Sequence, residues 1–343
     1  MVSQWHHLPK PSAGQRRPEQ SGYKVVTGDD IERIVAKEED RLRSARLKSR
    51  HARPIRRSDA KSSCSMSLTP TPTRTPRDVA GWVASWRHAE IPVLHETSEQ
   101  IEELRSREEQ VDARLLAPVI SADPLMCLKL LAHVSKHRSS RRVTDTETAT
   151  AALVMAGIGP FFRAFTRQPT VQDRLVGQPR ALEGLLRLLA RAQRAARFAL
   201  GFAVHRMDPD AEVIHEAALL HDFAEMLLWC HAPLLALEIE QRQRADPTLR
   251  SVVAQRQVLG VELIDVQQAL MRTWRLPELL VRISDERHDG DTQVRSVALA
   301  IRLARHTRQG WDNAAIPDDV REISLLLNLR QEATLKLLRD LDS

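Results

Sequence analysis

From about Asp78 to the end of the chain, apolar residues recur at helical spacing in one segment after another, and no useful stretch alternates like a strand. The longest such segment is an amphipathic run over 179–205, which Pro179 opens. Aromatic residues make up only 4% of the sequence, whereas the helix formers Leu, Ala, Arg and Glu are abundant. The pattern predicts an all-α fold with room for a substantial core.

The positive charge of the chain is concentrated in its first part. Residues 1–77 hold 17 Lys and Arg against 8 Asp and Glu, while the remainder holds 34 against 37. The first part is also rich in Ser and Pro and poor in large apolar residues, so it cannot offset the entropy of ordering. We therefore predict a disordered basic segment with a Pro/Thr linker at 1–77, a helical domain at 78–310, and a C-terminal helical extension at 311–343 packed on that domain.

Cysteine usage and hydropathy bear on the compartment. Cys64, Cys127 and Cys230 lie far apart and form neither a disulfide framework nor a zinc-ribbon spacing. No apolar run reaches the roughly 20 residues that span a bilayer, and the polar start of the chain lacks the apolar region of a secretory signal. These features predict a cytoplasmic protein.

An adjacent His221-Asp222 pair follows the apolar run 214–220, inside a segment, 210–230, that we predict to be one helix. His offers a neutral imidazole nitrogen and Asp a hard oxygen, so the pair is a candidate for binding a metal ion. A hydrolytic metal site needs about three protein ligands and an open position for water. Two adjacent residues cannot provide that alone.

Several short motifs follow one another between Ile91 and Arg308. They are Ile-Pro-Val-Leu at 91–94, Ile-Ser-Ala-Asp-Pro-Leu at 120–125 with Leu-Leu at 130–131, the helix-like run 151–159, Leu-Leu-His-Asp at 219–222 and Trp-Arg-Leu-Pro at 274–277. In this order and spacing they resemble the HDOD domain, the HD-related output domain of bacterial signalling proteins. The resemblance implies an all-helical domain with an HD-like C-terminal part.

The metal shell implied by the relation to HD phosphohydrolases is incomplete in this sequence. No His stands near Arg191 or Arg194, where metal-binding relatives have one, and Leu263 occupies another position where HDOD proteins often have His. Of the downstream His pair, at most His288 remains. Arg305 replaces the distal Asp, which puts a fixed positive charge where a divalent cation would bind.

We therefore interpret His221 and Asp222 as a vestigial pair in a buried, hydrogen-bonded network. The hypothesis for the network is that Asp222 pairs with Arg191, Arg194 or Arg305, so that a guanidinium replaces the lost metal charge. No catalytic residue, bound metal or other cofactor is predicted.

The leading functional hypothesis is a non-catalytic signalling module that engages a protein partner, or a nucleotide messenger, through a helical surface. One alternative is a divergent metal-dependent HD-type phosphohydrolase, in which Glu216, Glu225 or His288 completes the shell around His221 and Asp222. A further alternative is a nucleic-acid-associated regulator, whose segment 1–77 makes weak, salt-sensitive contacts with nucleic acid or another anionic surface.

A second basic cluster lies at 136–142, where Lys136, His137, Arg138, Arg141 and Arg142 stand close together. We predict a loop there. A solvated loop is the simpler interpretation, and contact with a phosphate or a nucleotide is the alternative.

Overall fold

The computed structural model describes residues 75–137, 147–288 and 290–342, so the predicted basic segment up to residue 74 and the cluster positions 138–142 lie outside the described residues. Within the described ranges the fold is helical, with one isolated parallel bridge between Val93 and Thr170 and no named strand. The all-α prediction is confirmed. No single helix in this part of the chain is long and apolar enough to cross a membrane. The helices Ala113–Ser121 and Pro124–His137 reach that length and apolar composition only when taken together, and a bend of 118° separates them.

The helices are numbered in chain order. They are α1 (Val79–Trp86), α2 (His95–Arg105), α3 (Ala113–Ser121), α4 (Pro124–His137), α5 (Ala149–Ala156), α6 (Ile158–Ala164), α7 (Val171–Arg174), α8 (Pro179–His205), α9 (Ala211–Leu219), α10 (Phe223–His231), α11 (Pro233–Ala245), α12 (Ser251–Leu259), α13 (Leu263–Thr273), α14 (Glu278–Ile283), α15 (Thr292–His306), α16 (Ile316–Leu327) and α17 (Gln331–Asp342), with short 3-10 turns at Glu108–Gln110 and Glu286–His288.

The long helix α8 is the centre of the C-terminal half, because it packs against α9, α10, α15 and α17. It begins at Pro179 and ends at His205, as predicted. Its apolar face is fully buried, with Leu185 and Phe202 both 0% exposed. Since a helix turns every 3.6 residues, Arg191 and Arg194 project from neighbouring positions on the partly buried rim of that face.

The last helix returns to α8. The Arg194 guanidinium on α8 forms an ion pair with Asp342 on α17, and the Trp311 indole Nε1 donates to the same carboxylate at 3.0 Å. Leu341 packs over Gly201, where a Cβ would lie 2.3 Å from its Cδ1. The small residue on α8 therefore permits the close approach of α17.

Two segments predicted as single helices are broken, and the prediction was wrong at both. The segment 210–230 divides into α9 and α10, with His221 and Asp222 in the turn between them. The segment 249–273 divides at Gly260, whose φ of +77° is left-handed and whose Cβ position lies 2.7 Å from the Arg77 carbonyl oxygen. Helical periodicity continues across both breaks, and therefore could not reveal them.

Other boundaries also differ from prediction. The helix expected from Asp145 begins at Ala149, where the Thr148 side chain caps it. The helix expected from Phe161 begins at Ile158, directly after Gly157 with its φ of +80°. The loop predicted from Ser135 starts later, because α4 runs through His137. Helix α11 was not predicted at all. Local propensity locates the ends of a helix, such as the starts of α5 and α6 and the end of α4, only to within a few residues.

Asp123 ties α4 to the extended segment before α2. Its Oδ1 accepts from the backbone N–H of Leu125 at 2.9 Å and of Met126 at 3.3 Å, and its Oδ2 accepts from Leu94 N–H at 2.8 Å. The predicted cap at Asp123 with Pro124 in the first turn is confirmed. Because the carboxylate is fully buried, its loss would leave buried donors without partners.

We expect Asp123→Ala to lower the free energy of unfolding by about 2 kcal/mol. The matched control is Asp112→Ala, which removes an exposed cap that accepts from the N–H groups of Arg114 and Leu115. Water can replace that cap, so the control should cost about 1 kcal/mol or less. Urea denaturation of both variants measures the difference, and equal losses would contradict the assigned role of Asp123.

Candidate functional site

The turn between α9 and α10 directs the His221 and Asp222 side chains into the molecule. The Asp222 carbonyl accepts from Glu225 N–H at 3.0 Å and Met226 N–H at 3.1 Å, so the backbone begins α10. The Asp222 side chain makes no capping bond. It is therefore free to contact α8 and α15, which pack against α9 and against each other.

Two arginines and one histidine surround the Asp222 carboxylate. Arg191 Nη2 on α8 donates to Oδ2 at 2.9 Å, and Arg305 Nη2 on α15 lies 3.2 Å from Oδ1. His221 Nδ1 lies 3.0 Å from Oδ1. Burial alone would raise the pKa of Asp222, but the Arg305 and Arg191 guanidinium groups and the His221 hydrogen bond hold it well below its usual range. Asp222 is thus a carboxylate neutralised by protein cations.

His221 lies between two carboxylates. Its Nδ1 faces Asp222, and its Nε2 lies 2.9 Å from Glu286 Oε1 on the 3-10 turn that follows α14. Burial would lower the pKa of this imidazole, yet the hydrogen bonds to Asp222 and Glu286 and their charges raise it to about 9. Both ring nitrogens therefore carry protons at neutral pH, and the side chain is an imidazolium.

Sequence reasoning missed Glu286 as a partner of His221. The resemblance placed a remaining His at 288 in this turn, but His288 is exposed and lies beside Asp285, with 3.8 Å between Nδ1 and Oδ2. The carboxylate two positions earlier reaches the buried imidazole instead. The only signal was that the 285–288 segment aligned with a metal-binding segment of relatives.

Arg194 does not contact Asp222, which corrects one of the three proposed pairings. Its guanidinium bonds Asp342, and its Nη1 also donates to the Thr307 carbonyl at 2.7 Å. Arg191 and Arg194 are neighbours on the α8 surface, three positions apart, but their guanidinium groups take different partners. One arginine points to α10 and the other to α17.

The donor set of this network does not fit a divalent cation. A metal-binding imidazole must have a ring nitrogen free to face the ion, and both nitrogens of His221 face carboxylates, Nδ1 at Asp222 and Nε2 at Glu286. A metal-binding Asp must face the ion. Asp222 instead faces two guanidinium groups, whose fixed positive charge repels a divalent cation. Among the described residues no group of three or more His, Cys, Asp or Glu is arranged to hold a metal.

The carboxylates considered for the enzyme alternative are engaged elsewhere or with arginine. Both Glu216 oxygens accept from Ala149 N–H, at 3.1 and 2.8 Å, so Glu216 caps α5. Glu225 Oε2 lies 3.5 Å from Arg191 Nη2. Neither is bonded to His221. The structure therefore does not assemble the shell of a phosphohydrolase from these residues.

A cavity of about 580 Å³ opens beside the network. Arg191, Asp222, Glu225 and Arg305 line one part of it, and the chain after α15 lines another, including Arg308. Acidic and basic groups both line the wall, and Asp222 is already paired with Arg191 and Arg305. The cavity is large enough for a small ligand, but its lining favours no single charge.

The fold and the His-Asp turn define an HD-like helical module. The sequence profile of the HDOD domain matches residues 91–290, which is more than half of the chain. The chain therefore belongs to the HDOD family, and the resemblance drawn from the motifs is confirmed.

Solved structures share the fold at low sequence identity. The MmoQ response regulator from Methylococcus capsulatus is 17% identical with a TM-score of 0.57, and the match covers 74% of this chain and 99% of that one. A virulence factor from Campylobacter jejuni is 16% identical with a TM-score of 0.54, covering 77% of this chain and 98% of that one. No protein of curated function matches the sequence.

Proposed function

We propose that this protein is a non-catalytic signalling module, which acts by binding a protein partner through its HDOD-like helical domain. One observation carries the proposal: Arg191 and Arg305 hold the Asp222 carboxylate, while His221 lies between Asp222 and Glu286. In this arrangement protein cations fill the place of a metal charge. The network then stabilises the junction of α8, α10 and α15 rather than supporting hydrolysis.

Membership of the HDOD family supports the signalling part of the proposal, since the resemblance links this domain to the output of bacterial signalling. The MmoQ neighbour bears the name response regulator, which agrees with that direction. A module that catalyses no reaction must act by binding another molecule, and it binds through its helical surface.

Metal content tests the non-catalytic assignment. We expect protein purified after growth with added Mn, Fe and Zn to hold less than about 0.1 ion per chain, because a metal would have to displace two guanidinium groups from Asp222. Elemental mass spectrometry measures this, with Asp222→Ala as the control for site-specific metal. About one ion per chain that is lost in Asp222→Ala, together with Mn-dependent hydrolysis of a phosphodiester, would overturn the proposal in favour of the enzyme.

A further inference from the structure

A second depression, which we call the basic groove, has a volume of about 610 Å³ and shares no residue with the Asp222 network. Four parts of the chain form it: the segment 87–91 after α1, the α4 face that bears Lys129 and Lys136, the loop 164–169, and Trp274. Ile91 and Phe165 lie beneath it and are almost fully buried in the core of the domain. The groove is thus built by packed elements of the domain.

Positive charge dominates the described lining. Arg87, Lys136 and Arg167 are exposed, and their side chains form no ion pair or hydrogen bond with the described residues. Glu90 is the one acidic residue of this lining, and Lys129 neutralises it in an ion pair. Three cations without a partner in the described part of the chain repel each other around one groove, and an anionic occupant would relieve that repulsion.

Two of the groove cations sit on backbone that the fold holds in place. Arg167 has a left-handed φ of 45°, which side chains other than glycine adopt rarely. Its N–H donates to Glu102 Oε1 at 2.7 Å, and that hydrogen bond is the main cause of the lowered pKa of Glu102. The Arg87 carbonyl accepts from Trp274 Nε1 at 3.0 Å. The backbone at both arginines is therefore held in place by hydrogen bonds to other parts of the domain.

The chemistry of the groove favours carboxylates over nucleic acid. Single-stranded nucleic acids bind where bases stack on exposed aromatic faces. Here Phe165 is only 3% exposed, and Trp274 is half-buried, with its ring beside Phe223 at 5.8 Å between centroids. Exposed arginine and lysine side chains around a groove instead match the carboxylates of an acidic peptide segment.

We propose that the basic groove is the docking site for an acidic peptide segment of a protein partner, an inference that rests on the proposed function as a binding module. Arg87, Lys136 and Arg167 bind the carboxylates of that segment. The site is distinct from the His221–Asp222 network, which has a structural role.

The full-length chain tests this with a fluorescein-labelled peptide of Glu-Gly-Glu-Ala repeats, followed by fluorescence anisotropy at about physiological salt. The groove variant combines Arg87→Gln, Lys136→Gln and Arg167→Asn, the last because Asn tolerates left-handed backbone. The matched control combines Arg114→Gln, Arg180→Gln and Arg330→Gln, three exposed arginines outside the groove. Thermal melts establish that both variants remain folded.

We expect the groove variant to weaken peptide binding about tenfold and the control to change it less than about twofold. A peptide with Gln in place of Glu should not bind. Equal weakening in both variants, absence of binding by the unaltered chain, or tighter binding of a single-stranded oligonucleotide than of the peptide would each overturn the proposal. Failure of the non-catalytic assignment would appear separately, as metal retention and hydrolysis. The peptide-binding result could still be interpreted in that case.

Discussion

Replacing Asp222 by Ala is expected to lower the free energy of unfolding by about 3 kcal/mol, the effect of leaving buried charges without their partner. Asp222 and Arg191 side chains are only 15% and 20% exposed, so water screens their interaction weakly. Without the carboxylate, Arg191, Arg305 and the His221 imidazolium would repel one another at the centre of the domain. The loss should appear as an earlier midpoint in urea denaturation with an unchanged slope.

A double-mutant cycle separates this charge effect from lost packing. Arg191→Leu combined with Asp222→Leu removes both partners, and we expect the pair to be less destabilised than the sum of the two single changes by at least about 1 kcal/mol. Asp318→Ala is the control, because its ion pair with Arg321 is exposed and should contribute less than about 0.5 kcal/mol. Additive effects at 191 and 222 would contradict direct coupling between them.

The second large effect is a loss of stability in alkaline solution. Folding raises the pKa of His221 from 6.5 to about 9, so the folded state binds a proton that the unfolded chain releases. The resulting stability is complete below pH 6.5 and disappears as the pH rises through 9. A shift of this size corresponds to about 3 kcal/mol.

Glu216 acts in the same direction at lower pH. Burial raises its pKa from 4.5 to about 8, although the Ala149 N–H group opposes the shift. Stability from this group is complete below pH 4.5 and is lost as the pH rises through 8. The unfolding free energy of the protein should therefore fall between pH 5 and 9.

Two variants with uncharged polar side chains separate the two sources of the stability loss at alkaline pH. Glu216→Gln should flatten the decrease below pH 8, and His221→Gln should remove the part between 6.5 and 9, in urea titrations at several pH values. His95→Gln is the control, because its partner Glu99 is exposed and the pair contributes little. A pH profile that His221→Gln leaves unchanged would show that the imidazole is not held as a cation.

The sequence by itself determined the helical class, the Asp123–Pro124 start of α4, the full extent of α8 and the family. These features depend on local periodicity, on helix caps and prolines, and on family motifs that follow one another along the sequence. It also indicated that the metal shell was altered, because Arg305 stands where relatives have an acid. The basic segment 1–77, expected to be disordered, and its contacts with nucleic acid or another anionic surface remain predictions.

Only the tertiary structure decided which charges meet. Arg191 and Arg305 lie 31 and 83 positions from Asp222, and helical periodicity does not reveal which faces of α8 and α15 converge on one turn. The break between α9 and α10, the choice of Glu286 over His288, and the diversion of Arg194 to Asp342 follow from that packing. Charges pair where buried surfaces leave no water to solvate them, and that condition exists only once the helices are assembled.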